Sequence, residues 1–299
     1  MRSVLVATLL LASHASANPA RAWEAARANL PASTKAVTGI DIDTGMSTSL
    51  AAFATPLLAT MGASKVLESI QKTCKIDPAK VVDGLVIAEG ATADAGAYYI
   101  SLEGLDEAGL VACANKLAAK KTAEAPAPSV QSDGGVHQLA LGDKTFFATW
   151  IGADVLVIAA KPGDKAMLRA FTSGKGALAK SPLGKLAAKA NTSATVWHAS
   201  TKSRAFEQTT TKTLRTSLDA SNKMLALAMT MTFASAKQAK AVEKLVNDQI
   251  IALLASGRLD AIVMEMLNKA TVTTNGAELE VNGSIPDGQL LAVIGALKP

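Results

Sequence analysis

Aromatic residues make up only 4% of this 299-residue chain, and it contains just two cysteines and three histidines. The scarcity of rings argues against a nucleic-acid surface, which interleaves cations with stacking side chains. A metal centre needs more ligands than these: His137 and His198 are what remain beyond the N-terminal segment, and neither stands at ligand spacing from a cysteine. No cofactor motif is present either. "SGKGALAKS" (173–181) has glycine and lysine without the spacing or the preceding strand of a phosphate loop. Past the N-terminus no apolar run free of charge reaches the roughly 20 residues of a membrane-spanning helix.

A catalytic signature occurs once. "TGIDIDTGMSTSL" (38–50) contains Asp43-Thr44-Gly45 in the manner of an aspartic protease, whose chemistry needs two facing carboxylates sharing a proton. There is no second D-T-G, and Ser132-Asp133-Gly134 is a poor substitute. The segment after Met46 turns to helical periodicity, so Asp43 reads as a strand end and turn, with the hydroxyl residues beyond Met46 available as caps. His137 and His198 lack a nucleophile context in the sequence and read as ordinary, partly buried histidines. Met229-Thr230-Met231 and Met264-Glu265-Met266 raise copper chemistry. The first pair shares its strand face with Leu225, Leu227 and Phe233, and positions two apart on a helix diverge, so the methionines read as core filler. No enzyme is expected.

What the chain does carry is an export signature. Arg2, the apolar run Val4 to Ala12 and the small residues Ala15-Ser16-Ala17 are the three parts of a signal peptide. Ala20-Arg21-Ala22 offers a second cleavage point, with the mature chain starting at Trp23. Losing Arg2 turns 30 basic residues into 29 against 25 acidic, a mild net charge of +4. A periplasmic or extracellular location follows. Lys175, Lys180, Lys185 and Lys189 read as a solvated face, with peripheral contact to an anionic envelope surface as the alternative.

Export implies an oxidising compartment. Cys74 follows Val66, Leu67 and Ile70 at helical spacing, and Cys113 lies between Leu110 and Leu117 in the same way. Both thiols fall on core-facing stripes, so a Cys74–Cys113 disulfide is predicted.

Strand patterns are read at 35–43, 82–89, 97–102, 136–141, 144–150, 155–160, 194–200, 223–233, 269–274 and 277–284. Helical patterns are read at 49–74, 106–120, 163–171, 182–190, 236–255, 259–268 and 287–297, with Pro56 and Gly62 interrupting the first. Gly142-Asp143, Gly152-Ala153-Asp154 and Asn275-Gly276 read as hairpin turns. "KKTAEAPAPSVQSD" and the polar segment 201–222 read as loop or insertion. The element order repeats, strand, helix, strands, helix, which predicts an α+β fold of two similar lobes, each a mainly antiparallel sheet with helices on one face. The predicted division is a signal segment at 1–22, an N-terminal lobe at 23–190 and a C-terminal lobe at 191–299.

In "MLALAMTMTF" large residues alternate strictly with small ones, placing Leu225, Leu227, Met229, Met231 and Phe233 against helices and Ala226, Ala228, Thr230 and Thr232 toward water or a close neighbour. "CKIDP", "EGLDEAGLVACA" and "VWHAS" resemble exported α+β proteins of Gram-negative bacteria with no assigned activity. That resemblance implies an envelope location and agrees with the disulfide. The expected role is a non-catalytic binding or interaction protein with an unknown protein partner. The alternative is a periplasmic carrier of an apolar ligand such as a lipid, with a groove formed by Leu227, Met229, Met231, Leu253 and Met264.

Overall fold

The computed structural model describes residues 20–51, 63–92, 94–119, 129–141, 144–206, 209–221, 223–256 and 261–290. The signal segment up to residue 19, Pro56 and Gly62, the loop bearing Pro126 and Pro128, the Gly142-Asp143 turn and the end of the last predicted helix lie outside the described residues.

The strands are β1 (Ala36–Asp41), β2 (Val82–Glu89), β3 (Gly96–Leu102), β4 (Ser129–Asp133), β5 (Val136–Leu141), β6 (Lys144–Ile151) and β7 (Val155–Ala159) in the first half. The second half supplies β8 (Val196–Ser200), β9 (Arg204–Phe206), β10 (Thr209–Thr211), β11 (Thr213–Ser221), β12 (Met224–Thr232), β13 (Thr271–Asn275) and β14 (Glu278–Pro286). The longer helices are α1 (Ala20–Asn29), α2 (Ala63–Cys74), α3 (Glu107–Ala119), α4 (Lys165–Thr172), α5 (Ala236–Ala255) and α6 (Ala261–Lys269). Asp164 and Ser235 cap α4 and α5 by accepting from the backbone N–H groups of Met167 and Gln238.

The strands expected to divide between two lobes form one antiparallel sheet of 12, in the order β13-β14-β12-β11-β8-β1-β2-β3-β7-β6-β5-β4. β1 and β8 join the halves, with Ala36 opposite Ser200 and Ile40 opposite Val196. Each half still follows a common course within this sheet, β9 and β10 pairing apart from it: three strands, a helical crossover, then strands of which the last lies beside the third. In the first half this places β7 next to β3, and in the second β14 next to β12.

Helices also cover both faces of the first half rather than one. β7 is "VLVIA", apolar at every position, so both of its faces need cover. On one face Val155, Val157 and Ala159 pack with α1, α4 and the short helical segments Ala177–Lys180 and Pro182–Ala187. On the other, Leu156 and Ile158 meet Leu110 of α3 and Trp150. The disulfide Cys74–Cys113 ties α2 to α3.

α1 is held from two directions. Ala22, Trp23, Ala26 and Leu30 recur at helical spacing and are buried, and Trp23 meets Trp197 edge to face at 4.8 Å, a geometry worth about 1 kcal/mol beyond area burial. Trp197 in turn lies over Gly39, where a Cβ would stand 2.1 Å from the indole nitrogen. Arg21 pairs with the buried carboxylate of Asp83, to which the Ser101 hydroxyl also donates, and reaches Asp154 at 2.9 Å.

Candidate functional site

On the second half of the sheet the helices leave a gap. Register places Leu214, Thr216, Leu218 and Ala220 of β11 on the same face as Met231, Met229, Leu227 and Leu225 of β12, and this face meets α5 and α6. α5 covers one end, where Met231, Phe233, Ala239, Val242 and Leu279 form a core. α6 covers the other, where Leu225, Val263 and Ile285 form a second. Between them Leu227 is 43% exposed.

That gap is an apolar cavity of about 300 Å³, walled by Leu218, Leu227, Ile250, Met266, Leu267 and Val281 among others. Across the β12–β14 ladder, Leu227 faces Gly283 and Met229 faces Val281. A Cβ on Gly283 would meet nothing within 4 Å, so a missing side chain forms part of the floor. Of the residues expected to make a groove, Leu227 lines this cavity. Met231 is buried beneath α5 and Met229 packs against the same cluster. Leu253 points outward, 42% exposed, near Ile251 at 64%, and Met264 is half-buried on α6. The small residues Ala226 and Ala228 face water. The signal available in the sequence was the alternation of β12; Gly283 carried a further signal that was not used, a glycine within an otherwise regular strand pattern.

The acidic motif plays a capping role. β1 ends at Asp41, whose carboxylate accepts from the Thr44 N–H at 3.0 Å and the Thr44 hydroxyl at 2.7 Å, starting the short helix Ile42–Met46. Asp43 is exposed. Asp41 thus caps a short helix that precedes the one expected from 49, most of whose first turns lie outside the described residues; past Met46 the Thr48 hydroxyl accepts from the Leu50 N–H at 3.3 Å. Ser49 instead donates from its N–H and hydroxyl to Asp287, at 3.0 and 2.6 Å.

Both histidines have hydroxyl partners. His198 Nδ1 lies 2.8 Å from the Thr38 hydroxyl across the β1–β8 junction, and its buried Nε2 has no hydrogen-bond partner among the described residues. Burial lowers its pKa, Arg204 and Lys202 lower it further, and Glu89 works the other way. His137 is 1% exposed, its Nδ1 2.8 Å from the Ser132 hydroxyl and its Nε2 3.1 Å from Glu107 Oε1. That last separation suits an ion pair but lies off the line of a hydrogen bond. Lys175, Lys180, Lys185 and Lys189 are all exposed. Among the described residues, no group of three or more His, Cys, Asp or Glu is placed to hold a metal ion, and no helix is long and apolar enough to cross a membrane.

No protein-family model and no curated protein matches this chain. Solved crystal forms of TP0453 are similar in fold. Form III matches with a TM-score of 0.50 at 9% identity, over 91% of this chain and 98% of that one. Forms I and IV match at 0.47 and 0.45, with 9% and 10% identity and similar coverage.

Proposed function

We propose that this protein is an exported binding protein that holds an apolar ligand, such as the acyl chain of a lipid, in the cavity between α5, α6 and the sheet. The carrying observation is the stretch of sheet at Leu227 and Gly283 that the described helices leave uncovered, between two filled cores on the same face. Its volume of about 300 Å³ is at the lower end of small-molecule sites, enough for part of a chain with any polar head left outside. Apart from Asn282 and Ser284, the described residues that line it are apolar, which suits holding rather than chemistry.

Export rests on the signal-like N-terminus, and the disulfide is compatible with an oxidising compartment. α1 begins at Ala20 and uses Arg21 and Ala22 in its packing. Cleavage after Ala17 keeps these contacts, whereas cleavage after Ala22 removes the Asp83 partner, which favours the earlier point.

Native mass spectrometry of the mature protein, taken gently from its own envelope, tests the reading. Extra mass dissociating as a lipid, absent from a Gly283→Phe variant, supports a carrier. A bare chain that also fails to bind an apolar fluorescent probe overturns it, and a chain retaining another polypeptide favours the interaction reading.

A further inference from the structure

We propose that Ser132, His137 and Glu107 form an acyl-transfer centre that hydrolyses an ester bound in the cleft beside α3. The inference is independent of the apolar cavity and goes beyond binding.

The hairpin builds the pair. Gly134 and Gly135 both adopt positive φ, 57° and 78°, as a tight two-residue turn with the sheet's twist requires. This turn makes Ser132 and His137 direct cross-strand partners in β4 and β5, with 2.8 Å between hydroxyl and Nδ1. Glu107, at the start of α3, closes the other side of the ring at 3.1 Å from Nε2. In the tautomer protonated at Nε2 the proton lies on the side of the Glu107 carboxylate, which is close but not aligned for a hydrogen bond, and the Nδ1 lone pair is left for the serine hydroxyl. The roles are those of a serine–histidine–acid relay with the two ring nitrogens exchanged.

The relay opens onto space of the right kind. A cleft of about 670 Å³ is bordered by Ser132, Glu107 and Trp150, with Val111, Ala112 and Asn115 from one side of α3. Ser132 is exposed while His137 is buried, so the nucleophile meets solvent and its base does not. The indole N–H of Trp150 is buried with no hydrogen-bond partner among the described residues, although it belongs to a side chain of the cleft wall.

The chemistry balances with water as the only co-reactant. Ser132 Oγ bonds to the ester carbonyl carbon as its proton passes to His137 Nδ1, and the leaving alcohol departs with that proton. Water then attacks the acyl-serine, giving its proton to Nδ1. The bond to Oγ breaks, the proton returns to Ser132, and the acid is released. Glu107 acts as a positioning residue, its carboxylate 3.1 Å from Nε2 on the side of the ring away from Ser132. The wall of Val111, Ala112 and Trp150 suits an ester with an apolar acyl or alcohol part.

A fluorophosphonate probe applied to the full mature chain tests this. The expected result is one covalent adduct on the peptide carrying Ser132, lost in Ser132→Ala, a substitution at an exposed position. Glu107→Gln is expected to slow labelling by about 10²-fold, and Glu107→Asp to recover most of the rate. Hydrolysis of p-nitrophenyl esters of short and medium acyl length should vanish with Ser132→Ala. A folded chain whose Ser132 stays unmodified, or whose ester hydrolysis survives Ser132→Ala, overturns the proposal and leaves His137 as a strut between the hairpin and α3.

Discussion

Leu227 and Gly283 are register partners in neighbouring strands, and the side chain that Gly283 lacks is the space into which one face of Leu227 looks. Filling that space separates binding from folding. Gly283→Phe places a ring where a Cβ meets nothing, and removing a strand glycine relieves roughly 0.5–1 kcal/mol of conformational cost. Titration with N-phenylnaphthylamine should show apolar binding in the parent protein and none in the variant, whose urea midpoint is equal or higher. Unchanged dye affinity in the variant would place the binding site elsewhere.

Arg21 of the N-terminal helix pairs with the buried carboxylate of Asp83. Asp83 is 2% exposed, so Arg21→Ala leaves a buried carboxylate with the Ser101 hydroxyl but no cation. The expected loss is on the order of 3 kcal/mol in chemical denaturation. Asp83→Asn, which removes the charge and keeps the shape, should cost less, and it should lessen the cost of Arg21→Ala when the two are combined. Additive losses would show that the pair is not coupled.

The disulfide spans 39 residues of sequence, for which loop closure in the unfolded chain amounts to about 4 kcal/mol. Thiol counting on the unreduced, unfolded protein should find none free. Reduction, or Cys74→Ser paired with Cys113→Ser, should lower the denaturation midpoint with the secondary structure retained. Two titratable thiols before reduction would contradict the bond.

His198 gives stability a pH dependence of defined sign. Its folded pKa is lowered, first by burial and then by Arg204 and Lys202 against the opposing Glu89, so the unfolded chain takes up the proton first as pH falls. The neutral ring's full contribution is present above the ordinary histidine value of about 6.5 and is lost as pH drops from there through the folded pKa. Urea melts between pH 7.5 and 5 should show this decline, and His198→Gln should flatten it. A slope that survives the substitution would assign the effect to other groups.

Much of the sheet is legible in the sequence because burial on one or both faces writes itself as period-2 or continuous apolar runs. "VLVIA" and "MLALAMTMT" fall where the pattern places them. β11 reads in the sequence as a polar insertion, although it lies inside the sheet between β12 and β8: "TLRTSLDAS" turns Thr213, Arg215, Ser217 and Asp219 to a polar face and offers only Leu214 and Leu218 as large apolar residues. β4 reads as loop because an edge strand needs little apolar content. The cavity was half legible. Alternation pointed to the face of Leu227, but how far α5 and α6 stand apart depends on tertiary packing. Ser132 and His137 are five residues apart, and what hides their contact is the loop-like composition of the stretch ending at Asp133, which masks Gly134-Gly135 as the turn that sets two side chains opposite one another.

The ladder between β1 and β8 has a mechanical consequence. A chain whose halves met through side chains could open like a clamshell, but here such opening would shear backbone hydrogen bonds at the middle of a sheet whose strands, at about 4.8 Å spacing, extend for roughly 50 Å from β4 to β13. The sheet is a fixed bench. On the binding reading proposed above, admission of a guest would fall to the parts packed on top of it, α5 and α6, on either side of the exposed Leu227. Probes attached to β4 and β13 should therefore report one separation with and without ligand, while probes between α5 and β12 should not.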